Sequence, residues 1–262
     1  MRRRNMLFSI ILSLSALVSA CAPSASGTPV QLTVSAAASL TDSLQEIQKL
    51  YEAENPSVKL TFNFGSSGAL QKQIEQGAPA DLFLSAGSKQ LKELVDRQFI
   101  EPAKQKHLLS NELVLIVPAA KTSPSLTGLQ DLTNPSVTKF SIADPETVPA
   151  GSYAKESLSY YQLWTAVQSK LVPAKDVRQV LTYVESGNVD AGIVYKTDAL
   201  TTNKVKTAFT VSSQSHRPIE YPAGIVKATK HPKEAESFYQ FLQEKRSEDI
   251  FVKYGFSIPA RP

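Results

Sequence analysis

Short apolar runs alternate with amphipathic stretches along most of the chain of 262 residues. The run 31–38, "QLTVSAAA", predicts a buried strand, and the following stretch places Leu44, Ile47 and Tyr51 on one helical face. Comparable apolar runs predict further strands at 57–64, 80–86, 112–119, 138–145, 191–195 and 219–228. This alternation of strands and helices indicates an α/β protein.

Helical spacing of apolar residues predicts several further helices. The longest are expected from about Ser152 to Lys170 and, as one C-terminal helix, over 232–246. No segment repeats at a fixed period, which argues against a solenoid. The order of the elements predicts two α/β lobes, the first near 30–111 and the second near 112–220.

The first residues have the features of an export signal, since Arg2, Arg3 and Arg4 precede an apolar run that is too short to span a membrane. The segment "LVSAC" ending at Cys21 resembles a bacterial lipobox. We therefore expect a signal peptide over 1–20, lipidation of Cys21 and a flexible Pro/Ser-rich tether over 21–30. An ordinary signal peptide that contains a cysteine is the alternative.

Charge and cysteine content narrow the possible classes of protein. Without the three leader arginines, 25 basic residues face 24 acidic ones, which reduces the formal charge from +4 to +1. A basic surface that binds nucleic acid or anions in general is therefore not expected. Cys21 is the single cysteine, so neither a disulfide nor a thiolate metal site is expected.

An enzyme finds little support in the sequence. A hydrolase would use Ser67, but a nucleophile elbow requires glycine at position 69, which is alanine. The three histidines (His107, His216 and His231) stand at no metal-ligand spacing and are expected on the surface. No Walker A or G-x-G-x-x-G sequence occurs. The sequence therefore predicts no enzyme, no cofactor and no direct protein ligand to a metal.

Small residues recur where a predicted strand passes into a predicted helix. Examples are Ser39, the glycine and serine run 65–68, and 149–152, while Val177 lies in the first turn of its own helix. Free amides and the partial positive charge at helix N-termini can form an anion site without lysine or arginine. Capping explains each turn taken singly, and Ser39 with Asp42 resembles a capping pair. The pattern alone leaves capping and anion binding open.

Four segments, taken together, resemble motifs of the substrate-binding proteins of molybdate ABC importers. They are "AAASLTDSLQEI", "FNFGSSGALQKQIEQGAPADLFLSA", "IADPETVPAGSYAKESL" and "VESGNVDAGIVYKTDAL". The resemblance extends from Leu32 to Phe256 and implies a two-lobed periplasmic-binding-protein fold of type II, hinge-connected, with the ligand cleft between the lobes. It places 31–111 plus 222–262 in lobe 1 and 112–221 in lobe 2.

The resemblance further implies that neutral hydrogen-bond donors hold molybdate or tungstate. Carried over by position, these are Ser39 and Ser67 from lobe 1, then Ala150, the amide of Val177 and the phenol of Tyr195 from lobe 2. Whether Ser66 or Ser67 points inward stays open.

The resemblance also implies a monomer that delivers its ligand to an ABC permease with its ATPase. Lipidated Cys21 would hold it at the outer face of the cytoplasmic membrane, within a periplasm if an outer membrane is present. The alternatives are a binder of sulfate or an iron complex, a sensor domain, and a serine hydrolase that uses Ser67.

Overall fold

The computed structural model describes residues 28–120 and 126–260. The expected signal peptide, Cys21 and most of the expected tether lie outside them. The strands of the described residues are β1 (Val30–Ala37), β2 (Val58–Gly65), β3 (Leu82–Leu84), β4 (Ile100–Ser110), β5 (Leu113–Pro118), β6 (Phe140–Ala143), β7 (Leu171–Ala174), β8 (Ala191–Tyr195), β9 (Val205–Thr210) and β10 (Glu220–Val226).

These strands form two five-stranded sheets with the same plan. The first sheet has the order β2-β1-β3-β10-β4, and the second has the order β7-β6-β8-β5-β9. In the first sheet β1 is parallel to β2 and β3, while β10 runs antiparallel to β3 and β4. In the second, β6 is parallel to β7 and β8, while β5 runs antiparallel to β8 and β9. Each sheet therefore has three parallel strands whose carboxyl ends lie at the same end of the sheet.

We call each sheet with the helices that pack on it a lobe. The first lobe contains β1–β4 and β10, and the second contains β5–β9, so the chain crosses between lobes after β4 and again before β10. The expected limit of lobe 2 at residue 221 falls inside β10. The two crossings are hydrogen-bonded, since the amide of Asn111 donates to the carbonyl of Ile219 at 3.3 Å.

Helices cover both sheets and shield their apolar faces. They are α1 (Thr41–Glu54), α2 (Ser67–Glu75), α3 (Ser88–Asp96), α4 (Pro149–Tyr160), α5 (Trp164–Val167), α6 (Val177–Glu185), α7 (Lys196–Ala199), α8 (Pro232–Phe241) and α9 (Lys245–Lys253). The C-terminal helices return to the first lobe, where Tyr51 packs edge-on against Phe238 and Phe241 with ring centroids 4.9 and 5.0 Å away. Such contacts add to the free energy of burial of each ring.

Two helix predictions were wrong in extent. The helix expected over 152–170 ends at Tyr160, because Gln162 adopts a left-handed φ of 59°. The amides of Gln162 and Leu163 then bond the carbonyls of Ser159 and Leu158 at 2.9 and 2.7 Å, a Schellman ending that glycine usually provides.

The expected single C-terminal helix is likewise two helices, α8 and α9, that meet at a break after Phe241. The buried hydroxyl of Ser247 donates to the Phe241 carbonyl at that break. Among the described residues, no helix combines the length and apolarity that a membrane crossing requires.

Candidate functional site

The five residues expected to bind the ligand all follow parallel strands. Ser39 follows β1 and Ser67 follows β2 in the first lobe, while Ala150 follows β6, Val177 follows β7 and Tyr195 ends β8 in the second lobe. Open α/β sheets bind ligands at the carboxyl ends of their parallel strands. The topology therefore brings the five residues to the ends of the two sheets at which ligand binding is expected.

The start of α4 has free amide groups. Its N-cap residue Val148 makes no side-chain cap, and Pro149 in the first turn has no amide proton. The amides of Ala150 and Gly151 have no hydrogen-bond partner among the described residues. A Cβ on Gly151 would lie 2.0 Å from the carbonyl oxygen of Ala143, so only glycine allows the helix to start this close to β6.

The start of α6 is partly capped. The carboxylate of Asp176 accepts from the amide of Gln179 at 2.8 Å, as an N-cap residue does. Val177 is the first residue of α6, and its amide has no hydrogen-bond partner in the described part of the chain. Two helix N-termini of the second lobe thus supply unpaired donors, as the sequence pattern indicated.

The structure distinguishes the two neighbouring serines of "GSSG". Ser66 caps α2, because its Oγ accepts from the amide of Ala69 at 3.2 Å. Ser67 is 1 % exposed, and its Oγ accepts from the amide of Ala86 at 3.0 Å. The Tyr195 hydroxyl of the other lobe donates to the carbonyl of the same Ala86 at 3.3 Å. Ser67 and Tyr195 therefore bond the backbone of the same residue, Ala86, from opposite lobes.

The expected capping role of Ser39 was wrong. Ser39 lies in a 3₁₀ turn over Ala38–Leu40, and α1 receives no side-chain cap. Its Oγ instead lies 2.9 Å from the hydroxyl oxygen of Tyr221, which in turn accepts from Asn111 Nδ2 at 3.2 Å. With its oxygen occupied by Asn111, Tyr221 can donate to Ser39, and the Ser39 proton is then free for a ligand.

Tyr221 was missed by reasoning from sequence. In the apolar run 219–228 a strand tyrosine is indistinguishable from an ordinary core residue, and only the structure shows its contact with Ser39. Its ring lies edge-on to that of Tyr195, with centroids 5.7 Å apart. Burial raises the pKa of both phenols well above their ordinary value, so both remain neutral donors.

The two lobes are in contact across the site. The amide of Gly68 in α2 donates to the carbonyl of Thr147, in the loop before α4, at 2.9 Å. A Cβ on Gly68 would lie 2.4 Å from that carbonyl oxygen, and one on Gly87 would lie 3.0 Å from Pro149. The structure is therefore that of a closed cleft.

The five expected residues are between 1 and 3 % exposed. A cavity of about 190 Å³ lies between the lobes, where Gly87 and Ser88 of the first lobe face Pro149 and Tyr153 of the second. It adjoins the start of α4, but none of the five expected residues lines it. We regard the buried donors as the candidate site, because an oxyanion is bound more strongly where water is excluded.

One ion-pair cluster borders the site. Arg178, the residue after Val177, lies 2.5 Å from the carboxylate of Asp42 and 2.7 Å from that of Asp198. Asp198 is fully buried, and this burial raises its pKa to about 6 although the charge of Arg178 acts in the opposite direction. The guanidinium is thus neutralised by carboxylates.

The geometry of the described residues supports neither a metal site nor Ser67 as a nucleophile. Within 28–120 and 126–260, no three histidine, cysteine or carboxylate residues come together as a metal site would require. The partner of Ser67 Oγ is the amide of Ala86, whereas His107 faces Glu220 at 3.3 Å and His216 Nδ1 faces a carbonyl oxygen. Ser67 therefore has no activating base among these histidines.

Known proteins resemble the chain over nearly its whole length. The model of the family described as bacterial extracellular solute-binding protein matches residues 32–257. The "Putative ABC transporter substrate-binding lipoprotein YvgL" of Bacillus subtilis is 48 % identical over 98 % of this chain and 99 % of that protein. The molybdate-binding protein ModA of Haemophilus influenzae is 40 % identical over 87 % of this chain and 90 % of its own.

The fold is also that of a solved structure. The periplasmic molybdate-binding protein of Azotobacter vinelandii superposes with a TM-score of 0.78, at 23 % identity, over 87 % of this chain and all of the other. This likeness concerns the fold alone and confirms the expected two-lobed periplasmic-binding-protein architecture. The proteins of this family bind solutes for ABC transporters and are not enzymes, which agrees with the expectation from sequence. The chain belongs to the family of bacterial extracellular solute-binding proteins.

Proposed function

We propose that the chain binds molybdate, and also tungstate, outside the cytoplasmic membrane and delivers it to an ABC importer. The observation that carries the proposal is the set of buried neutral donors at the carboxyl ends of parallel strands in both lobes. The donors are the hydroxyls of Ser39 and Ser67, the amides of Ala150 and Val177, and the hydroxyl of Tyr195, whose single proton would turn from the Ala86 carbonyl to the ligand. The name of the 40 % identical relative from Haemophilus influenzae, a molybdate-binding protein, supports the choice of ligand.

A site of this composition selects a fully deprotonated oxyanion. The five proposed donor groups are serine and tyrosine hydroxyls and amide N–H groups, and none of them carries a negative charge. Molybdate accepts such bonds at every oxygen, whereas a protonated phosphate has a hydroxyl that would lack an acceptor. Cavity size and donor number would distinguish molybdate from the smaller sulfate.

The energetics allow tight binding. Hydrogen bonds to a charged group contribute about 1.5 to 3 kcal/mol each. Roughly five to seven of them exceed the cost of association and closure and still leave more than about 8 kcal/mol, which corresponds to a sub-micromolar Kd. Because donors from both lobes reach the ligand together only when the cleft is closed, the ligand would favour the closed state.

Delivery requires a membrane partner. We propose an ABC permease with its ATPase as that partner, a monomeric binder, and lipidation of Cys21 as the anchor to the outer face of the cytoplasmic membrane. The description of YvgL as a lipoprotein supports this anchor. One acyl chain holds a protein only marginally, so stable anchoring needs the several chains of a bacterial lipoprotein.

The test of the site is equilibrium binding of radioactive molybdate to serine variants. Ser39→Ala and Ser67→Ala should each raise Kd about tenfold or more, since each removes one charge-assisted bond. Ser66→Ala is the matched control: it removes the cap of α2, which lowers the free energy of unfolding by about 1 kcal/mol without changing Kd. Unchanged affinity in both Ser39→Ala and Ser67→Ala would reject the site.

A further inference from the structure

One arginine connects the chain segments that hold three of the five donors. Arg178 Nη2 lies 2.5 Å from Asp42 Oδ2, and its Nε lies 2.7 Å from Asp198 Oδ1. Asp42 follows Ser39 by three residues, and Asp198 follows Tyr195 by three. Arg178 itself follows Val177 directly.

The two ion pairs of Arg178 differ in their surroundings. Asp198 belongs to the second lobe, as Arg178 does, and its side chain is 0 % exposed, so this pair is internal to one lobe. Asp42 belongs to α1 of the first lobe, and its side chain is 37 % exposed. The pair of Arg178 with Asp42 therefore crosses the cleft at its solvent-facing margin.

Only the pair of Arg178 with Asp42 depends on closure of the cleft. The buried carboxylate of Asp198 keeps the guanidinium in place, since an arginine with a buried partner cannot leave without an uncompensated charge. A guanidinium held in this way loses little further side-chain entropy when it bonds a second carboxylate. The bond to Asp42 can form only when the lobes approach, and it is then a charge-assisted bond of the stronger class.

We propose that Arg178 is a positioning residue that locks the closed cleft. Fixed by Asp198, it binds Asp42 across the cleft and holds the turn of Ser39 against the first turn of α6 while the ligand is inside. The role of this clasp, defined as Asp42, Arg178 and Asp198, rests on the proposed function. The clasp slows ligand release without contacting the ligand.

The test is the release rate of radioactive molybdate from the full chain after dilution into unlabelled molybdate. Asp42→Asn keeps the size of the side chain, leaves the buried pair of Arg178 with Asp198 intact, and removes only the charge that crosses the cleft. It should speed release about twofold to fivefold, the range of a partly exposed ion pair, with little change in the association rate. The difference from the unmodified chain should shrink in high salt.

Two further variants separate the clasp from a general effect on stability. Glu46→Gln is the matched control, since Glu46 lies on the same helix, is 34 % exposed and pairs with Lys253 at 2.7 Å within the first lobe. It should release molybdate at the unmodified rate. Asp42→Glu retains the charge and should restore slow release.

The outcomes distinguish this proposal from the proposed function. Binding of molybdate by the unmodified chain, with the same release rate in Asp42→Asn, would overturn the clasp alone. Equally fast release from Glu46→Gln would also overturn it, because the effect would not depend on the charge across the cleft. Absence of molybdate binding by the unmodified chain would overturn both proposals.

Discussion

Gly68 offers a way to block closure of the cleft without disturbing either lobe. It is the second residue of α2, and its φ is not among the positive values of the glycines, so alanine fits the local backbone. Alanine also favours a helix by about 0.8–1.0 kcal/mol over glycine. Gly68→Ala should therefore fold and leave the stability of the ligand-free protein unchanged or slightly raised.

The closed state, in contrast, has no room for the added methyl group. The Cβ would lie 2.4 Å from the carbonyl oxygen of Thr147 in the other lobe, which is about 1 Å less than ordinary contact. Overpacking of this kind costs about 1 to 3 kcal/mol, and the shift also weakens the 2.9 Å hydrogen bond from the Gly68 amide. We expect Kd for molybdate to rise about thirtyfold or more, corresponding to about 2 kcal/mol.

Calorimetric titration with molybdate, beside a thermal melt without ligand, measures both effects. Gly65→Ala is the control, since its Cβ would meet Leu70 of the same lobe at 3.6 Å, an ordinary contact. Gly68→Ala should bind weakly and melt normally, while Gly65→Ala should bind as the unmodified chain does. Equal affinity in Gly68→Ala would refute the link between this closed geometry and binding.

Three other outcomes are expected. Tyr195→Phe keeps the ring but loses the neutral phenol donor, so Kd for molybdate should rise about tenfold, and the ligand-free protein should lose about 1 kcal/mol of stability with the bond to the Ala86 carbonyl; an unaltered Kd in calorimetry would exclude the phenol from the site. Gly151→Ala places a methyl group 2.0 Å from the carbonyl oxygen of Ala143 and should lower the free energy of unfolding by about 3 kcal/mol in a denaturant titration, whereas wild-type stability would mean that α4 starts elsewhere. Burial raises the pKa of Asp198 to about 6 against the opposing charge of Arg178, so the folded protein retains a proton that the unfolded chain releases; this contribution to stability is complete below about pH 4 and lost as pH rises through 6. Asp198→Asn should remove that pH dependence, and a carboxyl resonance titrating near pH 4 in NMR would contradict the shift.

Whether a strand was recognised from the sequence depended largely on its place in the sheet, central or outermost. The recognised strands include the central ones, whose residues are buried on both faces and form continuous apolar runs. The missed strands, β4, β7 and β9, all lie at a sheet edge. In β4 most side chains are exposed, so the residues carry polar groups and no apolar period marks the strand.

The candidate site was predictable only in part, because local sequence does not show which distant residues come into contact. Strand-to-helix turns, which local sequence reveals, point to the segments of Ser67 and Val177, whereas the family resemblance selected these residues within them. Tyr221 and the carboxylate partners of Arg178 come from distant parts of the chain, and only the packed lobes bring them together. Ser39 was also assigned by the resemblance, and its local likeness to a helix cap misleads, since it bonds Tyr221 and caps no helix.

We infer that the closed cleft holds a tetrahedral dianion through neutral donors. The most direct measurement is isothermal titration calorimetry of the full chain with molybdate, tungstate, sulfate and phosphate in turn. We expect one site per chain, sub-micromolar Kd for molybdate and tungstate, and at least a hundredfold weaker binding of sulfate and phosphate, about 2.7 kcal/mol. Absence of molybdate binding, or tighter binding of sulfate, would contradict it.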